Sequence, residues 1–166
     1  MFYESVFRAL QKERVRYLVV GGVAMNLYGV LRATADLDLF LWLGDPKNVA
    51  KFVKVMKKLG YKPRVPVAPE DLQDPEKREE WQKGKGALVF TFVHPDSFEQ
   101  VDVFLKDPIP FGKAYRRRRL VTVSNFKISV VSLPDLKALK KKASRMKDKS
   151  DLENLKKIEE LRKKTR

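Results

Sequence analysis

Residues 19–42, VVGGVAMNLYGVLRATADLDLFLW, restrict the possible folds of this chain more than any other segment. The run is apolar except for a glycine pair, an arginine and two carboxylates, and burying an unpaired carboxylate is costly. Three readings are open: core packing that tolerates two acids, a secretion leader, or a site that requires them. The alternation from Asp36 to Leu41 is that of a strand. Asp36 and Asp38 then share one face, about 6–7 Å apart along the chain, while Leu37, Leu39 and Leu41 anchor the other.

The leader reading has some support. Arg14 and Arg16 precede the apolar residues 17–31, and Ala33-Thr34-Ala35 imitates a cleavage site. Against it stand Glu4 and Glu13 ahead of the stretch and Gly21-Gly22 and Asn26 within it. The stretch is also too short to span a membrane. The chain therefore reads as cytoplasmic, with no membrane partner.

Which chemistry the acids serve is bounded by composition. The chain has no cysteine and one histidine, His94, so thiolate and histidine-cluster metal sites are excluded. Any metal must be held by oxygen ligands, which favours magnesium or manganese. At 166 residues and 43% hydrophobic content, one domain with a real core is expected. The net charge of +15 is unevenly placed: residues 1–105 carry 16 Lys/Arg against 14 Asp/Glu, and residues 106–166 carry 20 against 7. That C-terminal excess includes Arg116, Arg117, Arg118 and Arg119 and the run Lys140-Lys141-Lys142. It would attract a polyanion such as RNA, DNA or nucleotide phosphates, or an acidic partner. The alternative is a lysine-rich solvated surface.

Periodicity and turn residues predict a helix over 3–14, a strand over 17–20, a helix over 23–28 and a strand over 37–43. Asp45-Pro46 opens a helix that runs to about Leu59 and ends at Gly60. Residues 63–86, with four prolines, read as a loop carrying a short helix over 75–82. A β-hairpin over 88–93 and 99–105 turns at His94-Pro95-Asp96-Ser97. Strands over 120–123 and 127–131 and helices over 134–144 and 149–164 complete the order. This is an α+β pattern, a mixed sheet flanked by helices, with a core over 1–132 and a C-terminal helical extension over 133–166.

Gly21-Gly22, between a strand and a helix, would let backbone N–H groups approach a phosphate, although such a pair is often plain punctuation. Asp36 and Asp38 can grip divalent cations between themselves and a triphosphate, and two-metal phosphoryl chemistry needs this kind of oxygen donor. Asp102 is a lone acid in a second apolar strand. Paired beside the first strand it would complete a carboxylate triad, ligating metal and helping to deprotonate an attacking hydroxyl. Solvent-facing acids and salt bridges to lysines are the competing readings.

With these residues placed, the chain resembles the nucleotidyltransferase superfamily of the DNA polymerase β type. Gly21-Gly22, Asp36-Leu37-Asp38 and a later Asp102 carry the likeness. Arg32-Ala33-Thr34-Ala35-Asp36-Leu37-Asp38 is similar to the R-x-T-x-D-x-D form of small bacterial and archaeal members, including the toxin-like AbiEii group and minimal nucleotidyltransferases. The stretch from Asp135 to Lys140, then Arg145-Met146-Lys147-Asp148 and Asp151-Leu152, is similar to that group's helical motif. The resemblance implies a nucleotidyltransferase-like mixed sheet and NMP transfer from NTP to a hydroxyl. It implies phosphate binding by Gly21 and Gly22, Mg²⁺ or Mn²⁺ binding by Asp36, Asp38 and Asp102, and nucleotide contacts from Arg32, Thr34 and Lys140. Arg145, Asp148 and Asp151 are the remaining motif residues. A serine is frequent at the second glycine in such proteins, and its hydroxyl is missing at Gly22.

Arg32 could alternatively pair with Asp36 or Asp38, and Lys140 could sit on a solvated helix face with Lys137, Lys141 and Lys142. His94 reads as an exposed turn residue, and Trp81 as a half-buried loop anchor or a base-stacking group. The expected acceptor is RNA, such as a tRNA 3′ end, in a toxin–antitoxin setting that would add a cognate protein partner. A protein hydroxyl and an inactive nucleic-acid-binding module are the competing readings.

Overall fold

The computed structural model describes residues 2–143 and 145–165. Seven strands form one mixed sheet in the order β3-β4-β5-β2-β1-β7-β6. The strands are β1 (Tyr17–Val20), β2 (Asp36–Leu41), β3 (Lys62–Pro63), β4 (Val89–Val93), β5 (Gln100–Phe104), β6 (Arg119–Val123) and β7 (Phe126–Val130). The pairs β2–β5 and β1–β7 are parallel and the others antiparallel.

Helices cover both faces. On one, Leu37, Leu39, Val101 and Val103 are fully buried against α1 (Glu4–Lys12) and α3 (Pro46–Lys58). Phe7 of α1 stacks on Tyr17, and Phe52 of α3 meets Phe92 edge-on. Each fully buried side chain of this size contributes about 1.5–3 kcal/mol, so this layer holds the sheet rigid. Trp81 of α4 (Pro75–Lys85) packs on Phe90, 5.1 Å between centroids, as a half-buried anchor. The opposite face carries α2 (Gly21–Leu27), α5 (Phe111–Arg116), α6 (Leu133–Ala143) and α7 (Met146–Lys164). There Phe111 meets Phe40 edge-on at 5.0 Å, and Leu136 and Leu155 join the buried core.

Several boundaries differ from expectation for identifiable reasons. β2 begins at Asp36, so both acids lie inside the strand, paired to β5, rather than at its mouth. α2 begins at Gly21, making the glycine pair the first turn of the helix. α7 starts at Met146 because the Arg145 backbone N–H donates to Asp148 Oδ2 at 3.1 Å, capping the turn. The region 63–86 gains a two-residue strand and a 3₁₀ turn over Pro69–Gln73. His94 is half-buried and edge-on to Tyr61 rather than an exposed turn residue. No helix of the described residues is long and apolar enough to cross a membrane.

Candidate active site

Strand register creates the site. β2 and β5 run parallel with Asp36 opposite Gln100 and Asp38 opposite Asp102. Residues opposite each other in a ladder point to the same face, so Asp36, Asp38 and Asp102 share the face left open by the α1 and α3 layer. Asp102 is fixed from both sides: Thr91 Oγ1 donates to its Oδ1 at 2.6 Å, and Gln100 Nε2 to its Oδ2 at 3.0 Å. Among the described residues, the Asp36 and Asp38 carboxylates accept no hydrogen bond and form no ion pair. Burial, followed by the charges of Asp102 and Asp36, raises the Asp38 pKa to about 6, and Lys140 and Arg145 oppose that rise.

Two carboxylates without a hydrogen bond or ion pair, beside a third, offer only oxygen donors, the ligand type that a hard divalent cation takes. The described residues do not by themselves close a cluster of three His, Cys, Asp or Glu side chains around an ion. Asp36, Asp38 and Asp102 offer the oxygen donors for such an ion, whose remaining ligands would have to come from outside the chain.

The glycine turn lies directly against these acids. Gly21 has φ +64°, and a Cβ there would overlap the Asp38 carboxylate. A side chain at Gly21 is thus excluded by conformation and by space. A Cβ on Gly22 would come within 2.6 Å of Thr34 Oγ1, so Thr34 fills the space beside the second glycine.

A chain of ion pairs borders the acids on the helical side. Arg32 Nη1 lies 2.8 Å from Asp151 Oδ2, and Lys140 Nζ lies 2.7 Å from the same oxygen. Lys140 also reaches Asp148 Oδ1 at 3.3 Å, and Arg145 Nε donates to Asp148 Oδ2 at 2.9 Å. Arg32 therefore pairs with Asp151 rather than with Asp36 or Asp38. Lys140 is 6% exposed, not on a solvated face as its lysine neighbours suggested. Burial works against the Asp148 charge, yet the hydrogen bonds from Arg145 and Lys140 hold its pKa below the usual carboxylate range.

Sequence reasoning missed the supports. The Tyr3 hydroxyl donates to the Ala35 carbonyl and accepts from the Gln100 backbone N–H at 3.0 Å, joining the entrances of β2 and β5. No local pattern marks Tyr3 for this. Thr91 was out of reach too, since counting from the turn read at His94-Pro95-Asp96-Ser97 sets it opposite Gln100, whereas the observed register pairs it with Asp102. The four-arginine run is not one free patch: Arg117 pairs with Asp135, Arg118 lies over Tyr115 and Arg119 over Tyr28.

No protein-family profile matches the chain, and no curated protein is similar to it in sequence. Solved structures are similar in fold. The lincosamide antibiotic adenylyltransferase LnuA, bound to lincomycin, superposes with TM-score 0.60 at 16% identity, covering 92% of this chain and 93% of that one. The antibiotic-resistance factor ANT(2'')-Ia gives 0.58 at 12% identity, covering 97% and 87%. A Thermotoga maritima protein described as a nucleotidyltransferase gives 0.54 at 17% identity, covering 95% and 86%. The chain has a nucleotidyltransferase-type fold, with the mixed sheet and flanking helices expected from its sequence.

Proposed function

We propose that the protein transfers a nucleoside monophosphate from an NTP to a hydroxyl acceptor and releases pyrophosphate, with magnesium or manganese as cofactor. The observation that carries this reading is the register that sets Asp38 beside Asp102, with Asp36 on the same face and the Gly21 turn against Asp38. A divalent ion held by the three aspartates supplies charge neutralisation of the triphosphate and activation of the hydroxyl. The chain's own residues supply alignment. Gly21 and Gly22 bring backbone donors to the phosphates, with Thr34 beside them, and Arg32 and Lys140 add positive charge. Asp102, steadied by Thr91 and Gln100, is the residue assigned on this reading to help deprotonate the acceptor hydroxyl. The acceptor oxygen forms a bond to the α-phosphorus as the bond from that phosphorus to the bridging oxygen breaks and pyrophosphate leaves. In-line positioning accounts for the rate.

RNA, such as a tRNA 3′ end, is the acceptor favoured by the excess of 20 Lys/Arg over 7 Asp/Glu in residues 106–166. A toxin–antitoxin role with a cognate protein partner rests on the helical motif from Asp135 to Asp151, and a cytoplasmic site goes with it. On this reading the sheet core over 1–132 carries the acids, and the extension over 133–166 closes the nucleotide side. A second reading, a protein or small-molecule hydroxyl as acceptor, is favoured by the internal pairing of Arg117, Arg118 and Arg119. The test incubates the protein with each α-labelled NTP, magnesium, total RNA and cell lysate. Label in RNA supports the first acceptor, and label in protein or a small molecule the second. No label in any fraction contradicts nucleotidyl transfer and leaves an inactive binding module.

A further inference from the structure

Three separate elements meet at one carboxylate oxygen. Asp151 Oδ2, on α7, receives Lys140 Nζ of α6 at 2.7 Å and Arg32 Nη1, from the connection between α2 and β2, at 2.8 Å. The Arg32 backbone is itself fixed, since its N–H donates to Asn26 Oδ1 at 2.9 Å and its carbonyl accepts from Asn26 Nδ2 at 3.0 Å. The side chains of Lys140 and Asp151 are each 7% exposed and that of Asp148 is 1% exposed. Ion pairs this deep have a desolvation cost that often cancels their attraction, so stability alone is a weak reason for the arrangement.

The charge count points the same way. Arg32, Lys140 and Arg145 form ion pairs with Asp148 and Asp151 alone, one cation more than these two acids, and Lys140 and Arg145 are close enough to Asp38 to act on its charge without pairing with it. The ammonium of Lys140 has three donors and uses two, and the fork of Arg32 has five and uses one on Asp151. Donors remain for an anion entering between this group and the aspartates.

We propose that Asp151 is a positioning residue of the nucleotide subsite. It contacts no substrate, but holds Lys140 and Arg32 side by side with spare donors set for the triphosphate of an NTP. This rests on the nucleotidyl-transfer reading above. α7 thereby governs nucleotide affinity from behind the residues that touch the nucleotide.

The experiment measures Mg²⁺–NTP binding by calorimetry, and KM against kcat in label transfer, for the unaltered protein, Asp151→Asn, Lys140→Met and the double variant. Asp151→Asn is expected to weaken NTP binding and raise KM about tenfold, with kcat within about threefold, the size of losing a charge-assisted hydrogen bond. The double variant is expected to lose less NTP affinity than the product of the two single losses, because Asp151 acts in part through Lys140 and otherwise only through Arg32. Leu155→Ala, a core change on the same helix, should lower the melting temperature and leave KM unchanged. Unchanged NTP affinity in Asp151→Asn overturns the proposal, as do multiplying losses in the double variant or an equal rise in KM for Leu155→Ala. If the unaltered protein binds no NTP, the nucleotidyl-transfer reading fails and this proposal with it. NTP binding that is indifferent to Asp151 removes this proposal alone.

Discussion

Gly21 and Asp38 form the tightest constraint at the scale of single residues. Gly21 turns with φ +64° in the space a side chain would need, so the Asp38 carboxylate lies against bare backbone. Gly21→Ala should therefore abolish label transfer, and retention of full activity would show that the turn and the acid are independent. Asp38 also imposes a pH dependence. Its pKa is about 6 in the fold against 3.8 unfolded, so the folded chain binds more protons between these values. Stability then falls as pH rises through that window, and the penalty persists above it. Asp38→Asn should raise stability in the absence of divalent ions by on the order of 1–3 kcal/mol near pH 7.5, and by little near pH 4. Magnesium should raise the melting temperature of the unaltered protein and not that of the variant. Thermal melts at the two pH values, with and without magnesium, check both statements. The three acids were legible in the sequence because alternation fixes which side chains share a face. The partner of Arg32 was not, because Asp151 is 119 residues away and only the packing of α7 brings it there.

Among the elements, legibility followed length and capping. α3 was readable end to end because Asp45 Oδ1 accepts from the Lys47 N–H at 3.0 Å and Pro46 sits in the first turn. Asp45→Ala should cost about 1 kcal/mol in chemical denaturation. α5 was missed: the six residues after Pro110, the last of them the first arginine of the run, show no helical period. Its stability comes from ring contacts, Phe111 meeting Phe40 at 5.0 Å and Trp42 at 6.1 Å on β2 and just beyond it, and Tyr115 one turn along α5 at 5.3 Å. Phe111→Ala is expected to cost about 3–5 kcal/mol, the range for emptying a buried aromatic site. A loss below about 1 kcal/mol would mean that α5 does not depend on those rings. The start of β2 was misjudged by one residue because an isolated acid at the edge of an apolar run looks like a strand end. Pairing with β5 shows that it is part of the ladder.

Across the whole molecule, rigid apolar packing and charge are divided between the two faces of the sheet. α1 and α3 bury the centre of one face, while the other gathers the aspartates, the glycine turn and the ion pairs of α6 and α7. The charge asymmetry was visible in the sequence, but its distribution was not, since three of the four consecutive arginines are engaged within the protein. If RNA is the acceptor, its binding should weaken steeply between about 50 and 200 mM salt, as phosphate contacts require. A flat salt response would favour a different acceptor. The central claim concerns the carboxylates rather than the acceptor. Its most direct test is magnesium-dependent transfer of label from an α-labelled NTP, with the unaltered protein compared with Asp36→Asn and Asp38→Asn at equal folded concentration. The expected result is transfer that needs magnesium and falls below detection in both variants. Transfer at an undiminished rate in both variants would contradict it.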